Sequence, residues 1–446
     1  MGLYDSLFYS DDFKKLKAEE LVIQRMLTVE AALAEAQAEE GIIPTDAAEV
    51  IVGCSNVNFI DLPRLKADVQ LGGNLAIPLV KQLIRTVKNN DFEASKYVHL
   101  GATSQDIVDT GLVLGMKETF ELLESLVDRL AVALVTLSRK HKTTLMIGRT
   151  LQQQAKPITF GLKSAYWLQG LMEAFDSLKG NQSTILKVQL AGAVGSGNRF
   201  VNTNVRSLVA EKLGLSSAAP WQSNRTSIAT WAASLGVLAG VLGKIAKDIT
   251  LLMQVEVAEV FEGVASGKGG SSTMPHKRNP VTCSAIVANA HRVPHLVASV
   301  LTGMSQEHER SAGLWHAEWE TLDSIEALTT GALEKCIDLI ENLEVDEERM
   351  RFNLELTNGL IYAENVSFLL SAQIGKGNAH DWVQKACKEA IATNRHLKEV
   401  VAQSEYDLGD LDALFDPKNS IGTSHELNEE ILAQHEHQLQ ADGHPE

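Results

Sequence analysis

Apolar residues recur three and four positions apart along most of the chain, the spacing that lines one face of an α-helix. Leu16, Ile23, Leu27, Ala31 and Ala34 mark such a face along the first long element. Ser10 can cap its start, Asp11 and Asp12 fall in its first turn, and Gly41 with Pro44 stops it. Alternating apolar and polar runs between turn signals, the mark of strands, are nearly absent. Prolines leave 79–156, 158–219 and 295–416 uninterrupted. The pattern predicts a helix from Thr103 or Ser104, either of which could cap it, to about Lys142. Others are expected over roughly 155–180, 222–262, 280–305 and 313–343. Several exceed the ~11–12 residues of an average helix by a wide margin.

Long helices need partners along their whole length, so the middle of the chain is expected to be an elongated bundle. The division read from chain order is an N-terminal helical domain (1–104), a central long-helix bundle (105–356) and a C-terminal helical domain (357–446). The polar stretch from His435 to Glu446 is expected to be disordered. Residues 226–243 carry no charge and approach a membrane span in length. Thr226, Ser227, Thr230 and Ser234 are polar, however, and Gly236 and Gly240 suit close helix packing. Burial among helices, including those of other subunits, is the expectation, and no membrane partner.

Charge narrows the partners. Across 446 residues the net charge is −17, which argues against nucleic acid and anionic membrane surfaces. A basic cluster is then a local exception, suited to a small anion. Cys54, Cys283, Cys336 and Cys387 are scattered without a CxxC pair, as for reduced thiols in a cytoplasm. The first residues, Met1 to Asp5, lack the basic and apolar regions of a signal peptide.

Four segments combine polar side chains with turn chemistry at helix ends: 99–104, 148–153, 269–280 and 306–311. In the third, Gly269 and Gly270 permit sharp bending, and Pro275 and Pro280 bracket the cationic run His276-Lys277-Arg278. Hydroxyls at one end and positive charge at the other make an anion-binding loop. Together the four segments supply histidines, arginines, a lysine, hydroxyls and amides, an inventory suited to a small substrate bearing several carboxylates. The glycine runs match neither a phosphate loop nor a dinucleotide fingerprint, and neither HExxH nor GxSxG occurs, so no cofactor and no metal is expected.

The run from Gly270 to Pro280 resembles the signature loop of the fumarase/aspartase superfamily, with its Gly-Ser-Ser, Met-Pro, Lys and Asn-Pro elements at the family spacing. The segments His99–Asp106 and Gly148–Pro157 resemble that family's first two conserved regions, in the same order. The resemblance implies an all-α, three-domain fold and a homotetramer whose central helices form a twenty-helix bundle, each composite active site drawn from three subunits. It makes Ser271 the residue that moves a proton at carbon, with Lys277 beside it. It assigns His99, Thr103, Ser104, Arg149, Thr150, Gln153, Asn279 and Arg310 to binding the substrate's carboxylates.

Where superfamily lyases expel an amine or purine nitrogen, Gly-Arg-Thr is followed by a histidine that protonates the leaving group. Here that position is Leu151. General acid catalysis contributes typically ~10²–10⁴-fold when a poor leaving group departs. A carboxylate needs no such help, because its conjugate acid has a pKa near 4. Leu151 therefore points to lactone chemistry, and Gln306–Glu320 resembles the superfamily's lactonising branch. Two other readings stand beside it: an adenylosuccinate-lyase-like β-elimination and a non-catalytic structural role.

Overall fold

The computed structural model describes residues 3–263, 269, 270, 274 and 276–441, the last six as backbone only. The described residues are helical nearly throughout, with two small two-stranded sheets. Its residues fall into two compact units, each discontinuous in sequence. One comprises Met1–Leu126, Ala174–Gly243 and Ala288–Glu334, the other Val127–Glu173, Lys244–Val287 and Lys335–Glu446.

In the first unit Ser10 caps a helix as expected, its hydroxyl accepting from the Phe13 N–H at 3.1 Å. That helix ends at Leu16, and a second spans Glu19–Glu39, where the sequence predicted one continuous element. The break is held by partners that folding brings in. Arg25 donates to the Leu16 carbonyl at 2.6 Å, and Lys17 turns to Asp323 and Glu326 at 2.6 and 2.8 Å. The core around these helices includes Leu27, Leu33, Met116, Leu123, Trp231, Leu235, Leu242 and Leu328, all buried. Each such side chain stabilises by about 1.5–3 kcal/mol relative to exposure.

The uncharged stretch lies in the helix Thr226–Leu252, long and apolar enough to cross a membrane by length and composition, with half of its most apolar window buried inside the protein. Its small residues act as spacers. A Cβ on Gly243 would come within 2.6 Å of the Ala290 Cβ, and one on Gly236 within 3.1 Å of Val297. Gly240 meets nothing within 4 Å, so only the first glycine of the GxxxG pair carries the contact. The helix stops at Leu252 rather than near 262: the Leu252 carbonyl accepts from the Glu259 N–H at 2.9 Å, and Ala258 takes a left-handed φ of 51° in the turn between them.

In the second unit the helix expected from 155 starts at Phe160, after a hairpin of Leu145–Thr150 and Gln153–Thr159. Pro157 can sit in this strand because a two-stranded ribbon has free edges and needs no N–H there. The Thr159 hydroxyl then caps the helix, accepting from the Leu162 N–H. Ile147 and Leu145 pack into a core of Leu354, Tyr362, Val366, Leu370 and Leu397. The tail corrects a second expectation. Ser424–Ala441 is helical, His435 is buried, and Asn428 donates to the Ser138 hydroxyl at 2.6 Å. That anchoring outweighs the polar composition; residues 442–446 lie outside the described residues.

Candidate active site

In the first unit the helix Ser104–Lys140 starts where two loops press together. Gly101 has φ 78°, and a Cβ there would fall 2.7 Å from both Asn198 Oδ1 and Phe200 Cβ. Asn198 in turn donates to the Gly101 carbonyl at 2.8 Å. Asp106, fully buried, joins the two segments: its carboxylate accepts from the backbone N–H of Thr103, Ala191 and Gly192 and from the Gln189 amide. Burial pushes this carboxyl up to about 6 despite those donors, which favour the charged form. Beside it, His99 has φ 58° and its Nδ1 lies 2.6 Å from buried Glu30. Burial lowers the imidazole's pKa, but the charge and hydrogen bond of Glu30 outweigh it and the net shift is upward.

Only half of a capping box forms at this helix start. Asp106 takes the Thr103 N–H, while the Thr103 hydroxyl accepts from Arg310 Nη2 at 2.9 Å instead of capping the helix. Arg310 also donates to Gln105 Oε1 at 3.0 Å and to the Ala193 carbonyl at 3.2 Å. Beneath lies a buried ion cluster. Arg225 pairs with Asp109 at 2.7 Å and Glu318 at 2.5 Å, each of the three almost wholly removed from solvent. Two carboxylates against one guanidinium leave an excess negative charge, and the Glu318 pKa is raised, chiefly by burial and against the pull of Arg225. Trp315 Nε1 and Gln105 Nε2 also donate to Asp109, and Gln306 to Glu318. Gln222 ties the 306–311 segment down by donating to the Glu309 carbonyl at 2.8 Å.

In the second unit the hairpin carries the Gly148–Gln153 segment to an exposed tip. Leu151 and Gln152 have φ 48° and 63°, the two-residue loop that ordinarily takes Asn-Gly. Leu151 is 96% exposed. Arg149, two residues before Leu151 on the first strand, donates both terminal nitrogens to Glu259, at 2.7 and 2.9 Å, and Asn353 holds the same buried carboxylate at 2.7 Å. A polar cavity of about 230 Å³ adjoins it, lined by Arg149, Gln152, Lys163, Asp248 and Gln254 among others. Lys163 lies 3.7 Å from Asp248, and burial lowers its pKa.

The 269–280 loop is fastened at its base. Asn279 N–H donates to the Gly269 carbonyl at 3.0 Å, and Arg278 donates to the Glu262 carbonyl and to Glu344. Glu262 also accepts the Thr282 and Cys283 N–H groups at the start of the helix Val281–Thr302. Arg278 is thus a structural tether although it is exposed, as Lys277 is. Among the described residues, no group of three or more His, Cys, Asp or Glu is arranged to hold a metal ion.

Residues 9–294 match the family model described as lyase, and residues 359–431 the adenylosuccinate lyase C-terminus. The chain belongs to the fumarase/aspartase lyase superfamily. Within that superfamily it is 41% identical to the 3-carboxy-cis,cis-muconate cycloisomerase of Acinetobacter baylyi, over 96% of this chain and 98% of that protein. A nitrosuccinate lyase of Streptomyces davaonensis is 38% identical over 90% of this chain and 87% of its own. The crystal structure of the 3-carboxy-cis,cis-muconate lactonizing enzyme from Pseudomonas putida superposes with a TM-score of 0.91 at 40% identity, covering 98% of this chain and 99% of that one. The all-α fold expected from the helical periodicity is that of these lyases.

The residues expected to form the site divide between the units. His99, Thr103, Ser104 and Arg310 lie in the first, where Thr103 and Arg310 are directly bonded. Arg149, Thr150, Gln153, Lys277 and Asn279 lie in the second, with Thr150 paired to Gln153 across the hairpin end. Ser271 lies outside the described residues. Asp106, Gln105 and Glu259 were not singled out from sequence. Asp106 had a readable signal, the Thr-x-x-Asp spacing of a capping box. Glu259 had none, since its partner Arg149 is far away along the chain.

Proposed function

We propose that the chain is a 3-carboxy-cis,cis-muconate cycloisomerase, an intramolecular lyase that closes its substrate to 4-carboxymuconolactone in the breakdown of protocatechuate-type aromatics. The observation that carries the reading is Leu151: the position after Gly148-Arg149-Thr150, exposed at a hairpin tip, offers no proton. In lactonisation one substrate carboxylate oxygen bonds to an alkene carbon, and the neighbouring carbon, α to another carboxylate, gains a proton. The attacking carboxylate is already ionised and tethered, so no base is needed to activate it. What the site must stabilise is the dianionic aci-carboxylate formed before that proton arrives.

Ser271 is the proposed proton carrier. A serine hydroxyl is weakly acidic, and it can serve only with cationic and N–H support, which Lys277 and the glycine backbone would provide. Asn279 with Lys277 holds one carboxylate, and Thr103, Ser104, Arg310 and His99 hold others, with Thr150, Gln153 and Arg149 completing the set. By resemblance to the superfamily, the reading includes a homotetramer in which subunits share each site, within a cytoplasmic protein of three domains, 1–104, 105–356 and 357–446. Its net charge of −17 fits a small-molecule enzyme.

A second reading is β-elimination of another group stable as an anion. The same absent acid allows it, and the nitrosuccinate lyase relative favours it. The experiment is a substrate panel followed by ultraviolet absorbance. Loss of the diene absorbance of 3-carboxy-cis,cis-muconate supports the cycloisomerase, and turnover of nitrosuccinate alone supports the second reading. Turnover of adenylosuccinate would overturn both.

A further inference from the structure

Gln105 is wholly buried, touches no open surface, and sits between the buried ion cluster and Arg310. Its amide can adopt only one orientation. Nε2 donates to Asp109 Oδ2 at 3.0 Å and to the Gln222 carbonyl at 2.8 Å, while Oε1 accepts from Arg310 Nε at 3.0 Å. A flipped amide would aim its oxygen at two acceptors and its NH₂ at a guanidinium, losing all three bonds. Asp109, which sets this orientation, is itself immobilised by Arg225 and Trp315.

The consequence runs outward. Nε of Arg310 is occupied by Gln105, and its Nη2 by Thr103 and the Ala193 carbonyl. Nη1 forms no bond to the described residues, so its two N–H groups remain for a ligand. The Thr103 hydroxyl, accepting from Arg310, has its own proton left to donate. Arg310 Nη1 thus presents donors only, and the Thr103 hydroxyl keeps its O–H to donate beside it. We propose that Gln105 is a positioning residue that transmits the fixed geometry of Asp109 and Arg225 to a two-donor carboxylate clamp, Arg310 Nη1–H and Thr103 O–H. The clamp deepens the cycloisomerase reading and rests on it for the identity of the carboxylate. The geometry of the clamp stands apart from that reading.

The test uses Gln105→Met and Gln105→Glu in the full chain. Displacement of an anchoring group by about 1 Å can cost on the order of 10²-fold. Gln105→Met should raise KM for the carboxymuconate about tenfold or more with kcat within about threefold, the mark of lost uniform binding. Adding Thr103→Val to it should cost little further, since the two act as one unit. Gln105→Glu should show the same defect near pH 8 and recover as pH falls. Once protonated, the introduced carboxyl can donate to Asp109 and accept from Arg310, and the ratio of Gln105→Glu to wild type at each pH separates this limb from any that His99 and Asp106 give both proteins. An unchanged KM in Gln105→Met, or a defect in Gln105→Glu that ignores pH, would overturn the proposal. A crystal structure of Gln105→Met decides independently of turnover: Arg310 leaving Thr103 supports positioning, and Arg310 unmoved defeats it. If the wild type fails to convert the carboxymuconate, the cycloisomerase reading falls and the crystal result still decides the role of Gln105.

Discussion

Arg149 gives both terminal nitrogens of its guanidinium to Glu259, a carboxylate with no solvent exposure. The residue expected to meet substrate is thus also a structural counter-ion at the base of the hairpin. Its removal leaves the buried Glu259 side chain with Asn353 as its one hydrogen-bonding partner among the described residues. Arg149→Met should destabilise the fold by about 3–5 kcal/mol, as for one partner of a buried pair. Arg149→Met with Glu259→Gln should recover part of that loss. Urea unfolding of the single and double variants measures both, and a stability unchanged in Arg149→Met would contradict the structural role.

The tip of the same hairpin carries strain. Leu151 at φ 48° has a Cβ in the left-handed region, at a cost of roughly 1–2 kcal/mol. Replacing Leu151-Gln152 by Asn-Gly should therefore stabilise by about 1 kcal/mol, seen as a higher urea midpoint at constant slope. Since Leu151 is almost fully exposed, no packing is lost in the described chain. A lowered midpoint would show that the tip is packed by something beyond it, as in a shared subunit site.

The buried ion cluster is asymmetric, with two carboxylates on Arg225. Glu318→Gln keeps one of the two accepting oxygens and leaves a neutral Arg225–Asp109 pair, so it should cost about 1–2 kcal/mol. Arg225→Met strands two carboxylates and should cost about 3–5 kcal/mol. Comparable losses in the two variants, measured by denaturant titration, would contradict this account.

The loops around the helix start should make stability depend on pH in one direction. His99 has a raised pKa, so its pairing with Glu30 stabilises fully below the ordinary value of 6.5 and is lost as pH rises through the raised one. Asp106, raised from 3.8 to about 6, keeps a proton in the folded state across that window while the unfolded chain releases it. Stability therefore falls with rising pH for this group too. Glu30→Gln should remove the upper limb of the decline and Asp106→Asn the lower. Unfolding free energies of each variant minus wild type, from pH 4 to 8, test the signs; a difference that grows in the opposite sense would reject them.

Periodicity and punctuation determined much of this protein. Apolar spacing announced the long helices, Ser10 its cap, and the Gly270–Pro280 run the superfamily, because helix formation and loop chemistry depend on neighbours a few residues apart. Even Leu151 could be read in place, since an alkyl side chain cannot supply a proton in any fold. What the tertiary structure decided was where partners lie far along the chain. Lys17 and Arg25 interrupt the first helix, the hairpin replaces the start of an expected helix, and Asn428 with His435 orders a polar tail. The fate of each cation was decided the same way: Arg149 and Arg278 are fastened by Glu259 and Glu344, while Arg310 is held open by Gln105. A charge in sequence has no assigned partner until folding brings one within about 3 Å, and a low-dielectric interior then makes that pairing obligatory.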